Sequence, residues 1–302
     1  MQKEFGTSKN HLPNFLIVGA AKAGTSSIAN YLNQHPDIYI PKNKELRFFI
    51  KDSIHKINEH DPLKKGILEQ SVLNLEDYKN LFDQEEKING DASVHYLYHH
   101  KECISNIRKF KDYEPKIIII LRNPIDRIIS NYEFLYDVHG NNFEDELELE
   151  QERKNLNYNS FWYYRELSLY YSQVKAYIDN FQYVHVIIFE DFIRDKRKAM
   201  NELYHFLNVN EFSPKYHVVN KSKKQSKFRR FLKEIGIDGA LVRYLNPKWK
   251  TRIKNTLGFI LFSDQKHKLT SHQQFELYDF FEKEIDQLET LLGKDLSLWR
   301  PN

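Results

Sequence analysis

Phe15-Leu16-Ile17-Val18-Gly19-Ala20-Ala21-Lys22-Ala23-Gly24-Thr25-Ser26-Ser27 decides the fold. Its first part is a short apolar run without polar alternation, the pattern of a strand buried on both faces of a parallel sheet. Its second part is a turn of small residues, after which residues 25–34 place Ile28 and Leu32 one helical turn apart. Strand, small-residue loop and helix in that order form an anion cradle. Backbone N–H groups can approach a phosphate closely, the helix N-terminus adds its dipole, and Thr25, Ser26, Ser27 and Lys22 supply donors and charge.

The same unit recurs twice. Residues 117–121 form an apolar run before Arg122, followed by a helical pattern over 125–136 that aligns Ile128, Ile129 and Tyr132. Residues 184–189 form another before Glu190, followed by a helix expected over 191–207 carrying Phe192, Ala199, Leu203, Phe206 and Leu207. A weaker strand is expected at Ile38-Tyr39-Ile40, closed by Pro41. The expectation is an α/β fold: a P-loop-like, doubly wound parallel sheet flanked by helices, a single domain with helical additions over residues 14–302 after an extension of residues 1–13. Ligands of such sheets bind at the carboxyl ends of strands, here just after Val18, Ile40, Leu121 and Phe189.

The loaded residues lie there. Gly19 and Gly24 have Walker A spacing, but Thr25 follows Gly24 where a nucleoside-triphosphate kinase needs lysine, and the cation is Lys22, inside the loop. At the second strand end, Asn123-Pro124 closes the strand and opens a helix. Arg122 and Ser130, two turns into that helix, are placed to grip one phosphate as a fork and a hydroxyl. Arg127 reads as structural, paired with Asp126, Glu133 or the acidic run beyond.

At this point the chain resembles a known family. Lys22-Ala23-Gly24-Thr25-Ser26-Ser27 after a strand resembles the 5′-phosphosulfate loop of the sulfotransferases, which use 3′-phosphoadenylyl sulfate (PAPS). Arg122-Asn123-Pro124-x-Asp126-Arg127-x-x-Ser130-x-Tyr132 resembles their 3′-phosphate motif, in the form of the heparan sulfate and bacterial branch. Gly90-Asp91-Ala92-Ser93-x-x-Tyr96-Leu97 is similar to the segment lining the family's cleft, Phe189-Glu190-Asp191-Phe192 to a later strand end, and Leu292-Gly293-x-Asp295-Leu296-x-x-Trp299 to the closing segment. The resemblance runs over roughly residues 14–299. Pro41-Lys42-Asn43-Lys44-Glu45-Leu46-Arg47-Phe48-Phe49 resembles the family's Lys-Glu-x-x-Phe-Phe stretch, whose glutamate is the base. Leu46 and Arg47 depart from the Pro and His common in close heparan-type members, which leaves the acceptor open.

The resemblance implies PAPS held at its 5′ end by residues 22–27 and at its 3′-phosphate by Arg122 and Ser130, with Lys221, Lys223 or Lys224 closing over it. It implies Glu45 as base and Lys22 as the cation at the leaving oxygen, with no metal. The implied reaction moves a sulfonate to a hydroxyl of a carbohydrate, as a glycan or glycolipid, and releases adenosine 3′,5′-bisphosphate. Two other readings stand beside it. A P-loop kinase would use ATP and magnesium, with Glu190-Asp191 at the metal; a non-catalytic module would bind glycan or membrane and no PAPS.

Composition bounds the rest. The 302 residues carry a net charge of +3, too little for a nucleic-acid coat, and 41% apolar with 14% aromatic residues supports a packed core. That small net charge hides a basic strip: residues 221–254 hold twelve Lys/Arg against two acids. Interleaved with Phe228, Phe231 and Trp249, the strip suits an anionic membrane surface or a polyanionic glycan, and otherwise a solvated helical hairpin. The acidic stretch from Glu144 to Glu152 reads as a solvated helical face. Cys103 has no partner for a disulfide within the chain and reads as a small core residue. With no apolar run near about 18 residues, a cytoplasmic protein with peripheral membrane contact at most is expected. His95, in the cleft segment, reads as a satisfied or partly buried histidine, with help in proton transfer as the other reading, and His99-His100 lacks metal-ligand spacing.

Overall fold

The computed structural model describes residues 11–84, 87–216 and 267–301. In chain order its strands and α-helices are β1 (Phe15–Gly19), α1 (Thr25–Leu32), β2 (Ile38–Tyr39), α2 (Lys51–His55), α3 (Lys64–Gln70), α4 (Leu75–Asn80), β3 (Ile88–Ala92), α5 (His100–Ile107), β4 (Lys116–Leu121), α6 (Pro124–His139), α7 (Phe143–Glu148), α8 (Glu150–Asn155), α9 (Tyr170–Asn180), β5 (Val184–Ile188), α10 (Phe189–Arg194), α11 (Lys196–Leu207) and α12 (Ser271–Leu292).

The five strands form one parallel sheet in the order β2-β3-β1-β4-β5. Every residue of β1 is buried, and so are five of the six in β4. Since successive side chains point to opposite faces, both faces of the sheet are covered. Helix α1 packs on β1 and β3, α9 on β4, and α10 and α11 on β5. The crossover after β1 leads to the β2 side of the sheet, and the one after β4 leads to β5. The two diverge at the carboxyl ends of β1 and β4, where an open α/β sheet has its crevice. There the ladder shifts register: Ile17 pairs with Ile118, but Gly19 pairs with Ile119.

Strand β3 is missing from the sequence expectation, because Ile88-Asn89-Gly90-Asp91-Ala92 has little strand propensity. Its pairing with β1 explains the composition. Gly90 lies opposite Phe15, and a Cβ on it would stand 2.1 Å from the Phe15 ring. Asp91 is fully buried and accepts hydrogen bonds from Ser93 Oγ (2.7 Å), Tyr96 OH (2.8 Å) and Tyr78 OH (2.9 Å). Polar residues tolerate this central strand because other side chains satisfy them.

Three further expectations are corrected. The helix expected over 191–207 is two helices divided at Asp195, whose extended backbone (φ −141°) breaks the first and whose carboxylate caps the second at Lys198 N–H (3.0 Å). The acidic stretch is not wholly solvated. Glu146 is buried, held by both terminal nitrogens of Arg153 (2.7 and 2.8 Å) and by Tyr164 OH (2.8 Å), and Glu150 accepts from the N–H groups of Arg165 and Glu166. Arg127 is fully buried and donates to Ser168 Oγ and the Tyr164 carbonyl, and it makes no ion pair with an acid among the described residues. No helix among the described residues is long and apolar enough to cross a membrane.

Candidate active site

The loop between β1 and α1 is shaped by packing at both glycines. A Cβ on Gly19 would stand 2.5 Å from Leu97 Cβ, and one on Gly24 would stand 2.6 Å from the Phe189 ring. Gly24 also has φ +88° as the N-cap of α1. No side chain caps α1 and no acid lies in its first turn, so its positive end is left for an anion. Ala23, within the loop, is fully buried.

Lys22 holds a left-handed backbone (φ +69°) and its Nζ lies 4.0 Å from the centre of the Phe134 ring. Burial, then the charges of Arg122 and Arg127, lower its pKa to about 8, against an opposing pull from Glu133. Three cations thus gather in one partly desolvated place, which is unfavourable without a counter-anion.

Arg122 follows β4 across the crevice and joins the two motifs directly. It donates from Nη1 to the Lys22 carbonyl (3.2 Å), lies over the Phe189 ring (5.1 Å), and has Nη2 3.8 Å from Asp126. Its Nε is buried with no hydrogen-bond partner among the described residues, and so is Nη1 of Arg127. Asn123 caps α6 through Ile125 N–H (2.9 Å), and its own N–H donates to Glu190 (3.0 Å). The other carboxylate oxygen of Glu190 accepts from the Trp299 indole (3.1 Å). Glu190 is therefore a strut holding the Arg122 turn against the closing segment, with both oxygens committed.

Glu45 reaches the carboxyl edge by a different route. It also has a left-handed backbone (φ +67°), as does Arg47 (φ +56°). Its N–H donates to the Ala92 carbonyl (3.1 Å), and its carboxylate accepts from Val94 N–H (3.1 Å). Arg47 is buried behind it, donating to the Glu45 carbonyl (2.8 Å) with Nη2 3.8 Å from the carboxylate. Burial raises the Glu45 pKa above the usual carboxylate range, outweighing Arg47, Lys44 and the Val94 N–H. Strained backbone at Lys22, Glu45 and Arg47 coincides with the charged groups of the cleft, as is common at functional sites.

Sequence reasoning missed the importance of Lys44. Its Nζ donates to Ser26 Oγ (2.8 Å), fastening the Glu45 segment to the phosphate loop, and burial lowers its pKa. The residue just before Glu45 carried the signal, since a second cation beside a base is hard to explain as a surface charge. Ser130 is half-buried on α6 and its hydroxyl has no hydrogen bond among the described residues. Lys221, Lys223, Lys224 and the whole basic strip lie outside the described residues.

Comparison with known proteins gives a consistent picture. A family model described as the sulfotransferase domain matches residues 12–287. The chain is 33% identical to a sulfotransferase from Alicyclobacillus acidocaldarius of known crystal structure, covering 96% of this chain and 99% of that one with a TM-score of 0.73. It is 30% identical over 123 residues to the membrane-associated sulfotransferase kil1 of Dictyostelium discoideum, and 25% identical over 170 residues to mouse carbohydrate sulfotransferase 15. Those stretches cover 41% and 45% of this chain but only 23% and 29% of the two relatives, so the chain spans about a quarter of the length of the curated relatives it matches.

Proposed function

The chain belongs to the sulfotransferase family, and on that premise we propose that it transfers a sulfonate from PAPS to a hydroxyl of a carbohydrate, releasing adenosine 3′,5′-bisphosphate. The observation that carries this reading is the crevice between β1 and β4. Lys22, Arg122 and Arg127 converge there beside the uncapped end of α1, and Arg122 Nε and Arg127 Nη1 are buried without partners among the described residues. A buried guanidinium nitrogen is costly unless an acceptor meets it, and phosphate oxygens are the acceptors this geometry suits. The donor set thus fits a phosphorylated, anionic nucleotide.

Residues 22–27 would hold the 5′-phosphosulfate, and Arg122 with Ser130 the 3′-phosphate, joined by Lys221, Lys223 or Lys224. Bound there, PAPS supplies an activated sulfonate. Glu45 takes the proton of the attacking hydroxyl, and its raised pKa makes it a stronger base than an exposed carboxylate. Lys22 supplies positive charge where the departing phosphate gains negative charge, with Lys44 fixing the loop hydroxyl beside it. Arg47 orients Glu45 and keeps enough of it ionised to work.

A carbohydrate acceptor is supported by the relative named as a carbohydrate sulfotransferase and by the glutamate at the base position. Contact with an anionic membrane through residues 221–254 is supported by their charge and by the membrane-associated relative. The test is transfer of radiolabelled sulfonate from PAPS to a chemically desulfated glycosaminoglycan, with p-nitrophenol as a competing acceptor. Label on the glycan that depends on Glu45 and Lys22 supports the proposal. Label on the phenol alone overturns the carbohydrate half, and transfer of the ATP γ-phosphate instead overturns the whole.

A further inference from the structure

Beside Lys22 stands a row of apolar side chains that the mechanism above does not use. Lys22 Nζ lies 4.0 Å from the centre of the Phe134 ring, which is 56% exposed. Phe134 leans on Phe161 (5.7 Å between ring centres) and Phe161 on the His95 ring (4.1 Å). His95 follows Val94, whose N–H fixes Glu45, so these rings join the cation to the base segment. Val138 is one helical turn beyond Phe134 on α6, about 5.4 Å along its axis, and is exposed as well. It lines a cavity of about 320 Å³, within the usual range of small-molecule sites.

Most of that cavity is apolar. Pro62, Val138, Leu149, Leu156, Tyr158 and Trp162 line it together with four polar residues. Three of the four are turned to one another or to the core. Arg153 lies over the Trp162 ring (4.4 Å) and commits both terminal nitrogens to Glu146 (2.7 and 2.8 Å). Asn141 donates its side-chain amide to Glu146 (2.8 Å) and its backbone N–H to His139 Nδ1 (3.0 Å). His139 therefore carries its proton on Nε2, which donates to the Tyr132 carbonyl (3.3 Å). The fourth is Glu152, exposed and negative. A polyanionic chain would meet that carboxylate and no unpaired cation among the lining residues. A hydrocarbon chain would instead cover Val138 and Leu156, which are 41% and 45% exposed.

We propose that the acceptor is an amphiphile, a sugar carrying a hydrocarbon chain as in a glycolipid, with the chain held along Phe134 and Val138 in this cavity; the inference rests on the transferase reading. The sugar hydroxyl faces Glu45 and Lys22, and the chain leaves the cleft past Phe134. Contacts to a chain that does not react act in the ground and transition states alike, so the chain lowers KM and leaves kcat nearly unchanged. Sugars without a chain remain substrates, with lower affinity.

The test compares octyl and methyl β-glucoside, below the micelle concentration, on the full chain saturated with adenosine 3′,5′-bisphosphate. By calorimetry the octyl glucoside should bind at least about tenfold more tightly, each buried methylene being worth about fourfold. Val138→Gln combined with Leu156→Gln, at two exposed positions, should bring that ratio below about threefold. Unchanged bisphosphate affinity in the double variant would show that its fold is intact. Ile178→Gln, at an exposed position on α9, should keep the wild-type ratio. With labelled PAPS, KM should follow the same ratio at constant kcat. Equal affinity for the two glucosides in the wild-type chain overturns the proposal, and so does a preference for the octyl glucoside that survives the double substitution. Failure of the transferase reading shows elsewhere, as a chain that binds no bisphosphate and transfers no label, since the glucoside ratio is read without turnover.

Discussion

Lys22 and Arg122 stand at the ends of adjacent strands, each placed by the turn that follows its own strand, and a single bond from Arg122 to the Lys22 carbonyl joins them. Glu45 has no such local frame. Its carboxylate is held by a backbone group 49 positions later in the chain, and that group leaves a strand whose own polar side chains are satisfied by Tyr78 and Tyr96. The donor half of the cleft is built by contiguous sequence, and the base half by distant contacts. Nucleotide binding and proton abstraction should therefore fail separately, and the base half should be the one sensitive to packing far from the chemistry.

The largest expected effect is at Glu45. Glu45→Gln should lower kcat by roughly 10²–10⁴-fold, the usual contribution of a positioned base, while calorimetry finds bisphosphate affinity unchanged. Parallel losses in both would mean the two halves are one unit. Arg122→Ala should do the reverse, weakening the bisphosphate by roughly 10–150-fold, the equivalent of about 1.5–3 kcal/mol for a charged hydrogen bond, with a smaller change in kcat at saturating PAPS. Gly90→Ala tests the hidden strand. Its Cβ would collide with the Phe15 ring, and overpacking of this kind costs about 1–3 kcal/mol. Urea titration should show that loss, whereas Gly66→Ala, with nothing within 4 Å, should show none of comparable size.

The pH profile gives the smallest effect and separates the halves again. Activity needs Glu45 ionised, so kcat/KM should rise with pH through a pKa lying above the ordinary carboxylate value. It also needs Lys22 charged in the free enzyme, so kcat/KM should fall again above about pH 8. Arg47→Leu removes a positive charge that stabilises ionised Glu45, so the acid limb should move upward and the alkaline limb should stay. Movement of both limbs together would place Arg47 in the donor half.

The same division explains what the sequence reveals. The β1 and β4 runs, the small-residue loop and Arg122 are local patterns, and each lies where the pattern predicts. Strand β3 escapes because its residues are chosen for what they meet across the sheet: hydrogen in place of a side chain at Gly90 under Phe15, and a carboxylate at Asp91 for two tyrosines and a serine. The acidic stretch misleads for the same reason, since only the fold brings Arg153 and Tyr164 to Glu146. His95 is buried but not satisfied: its Nε2 has no partner among the described residues, and its link to Ser160 spans 65 positions of chain.

The most direct test of the central claim is thermal unfolding with adenosine 3′,5′-bisphosphate, AMP, or ATP with magnesium. A ligand at a hundred times its dissociation constant adds about 2.7 kcal/mol of stability. Tm should rise clearly with the bisphosphate, and the rise should be kept in Glu45→Gln and lost in Arg122→Ala. A rise only with ATP and magnesium, or none with any nucleotide, would contradict it.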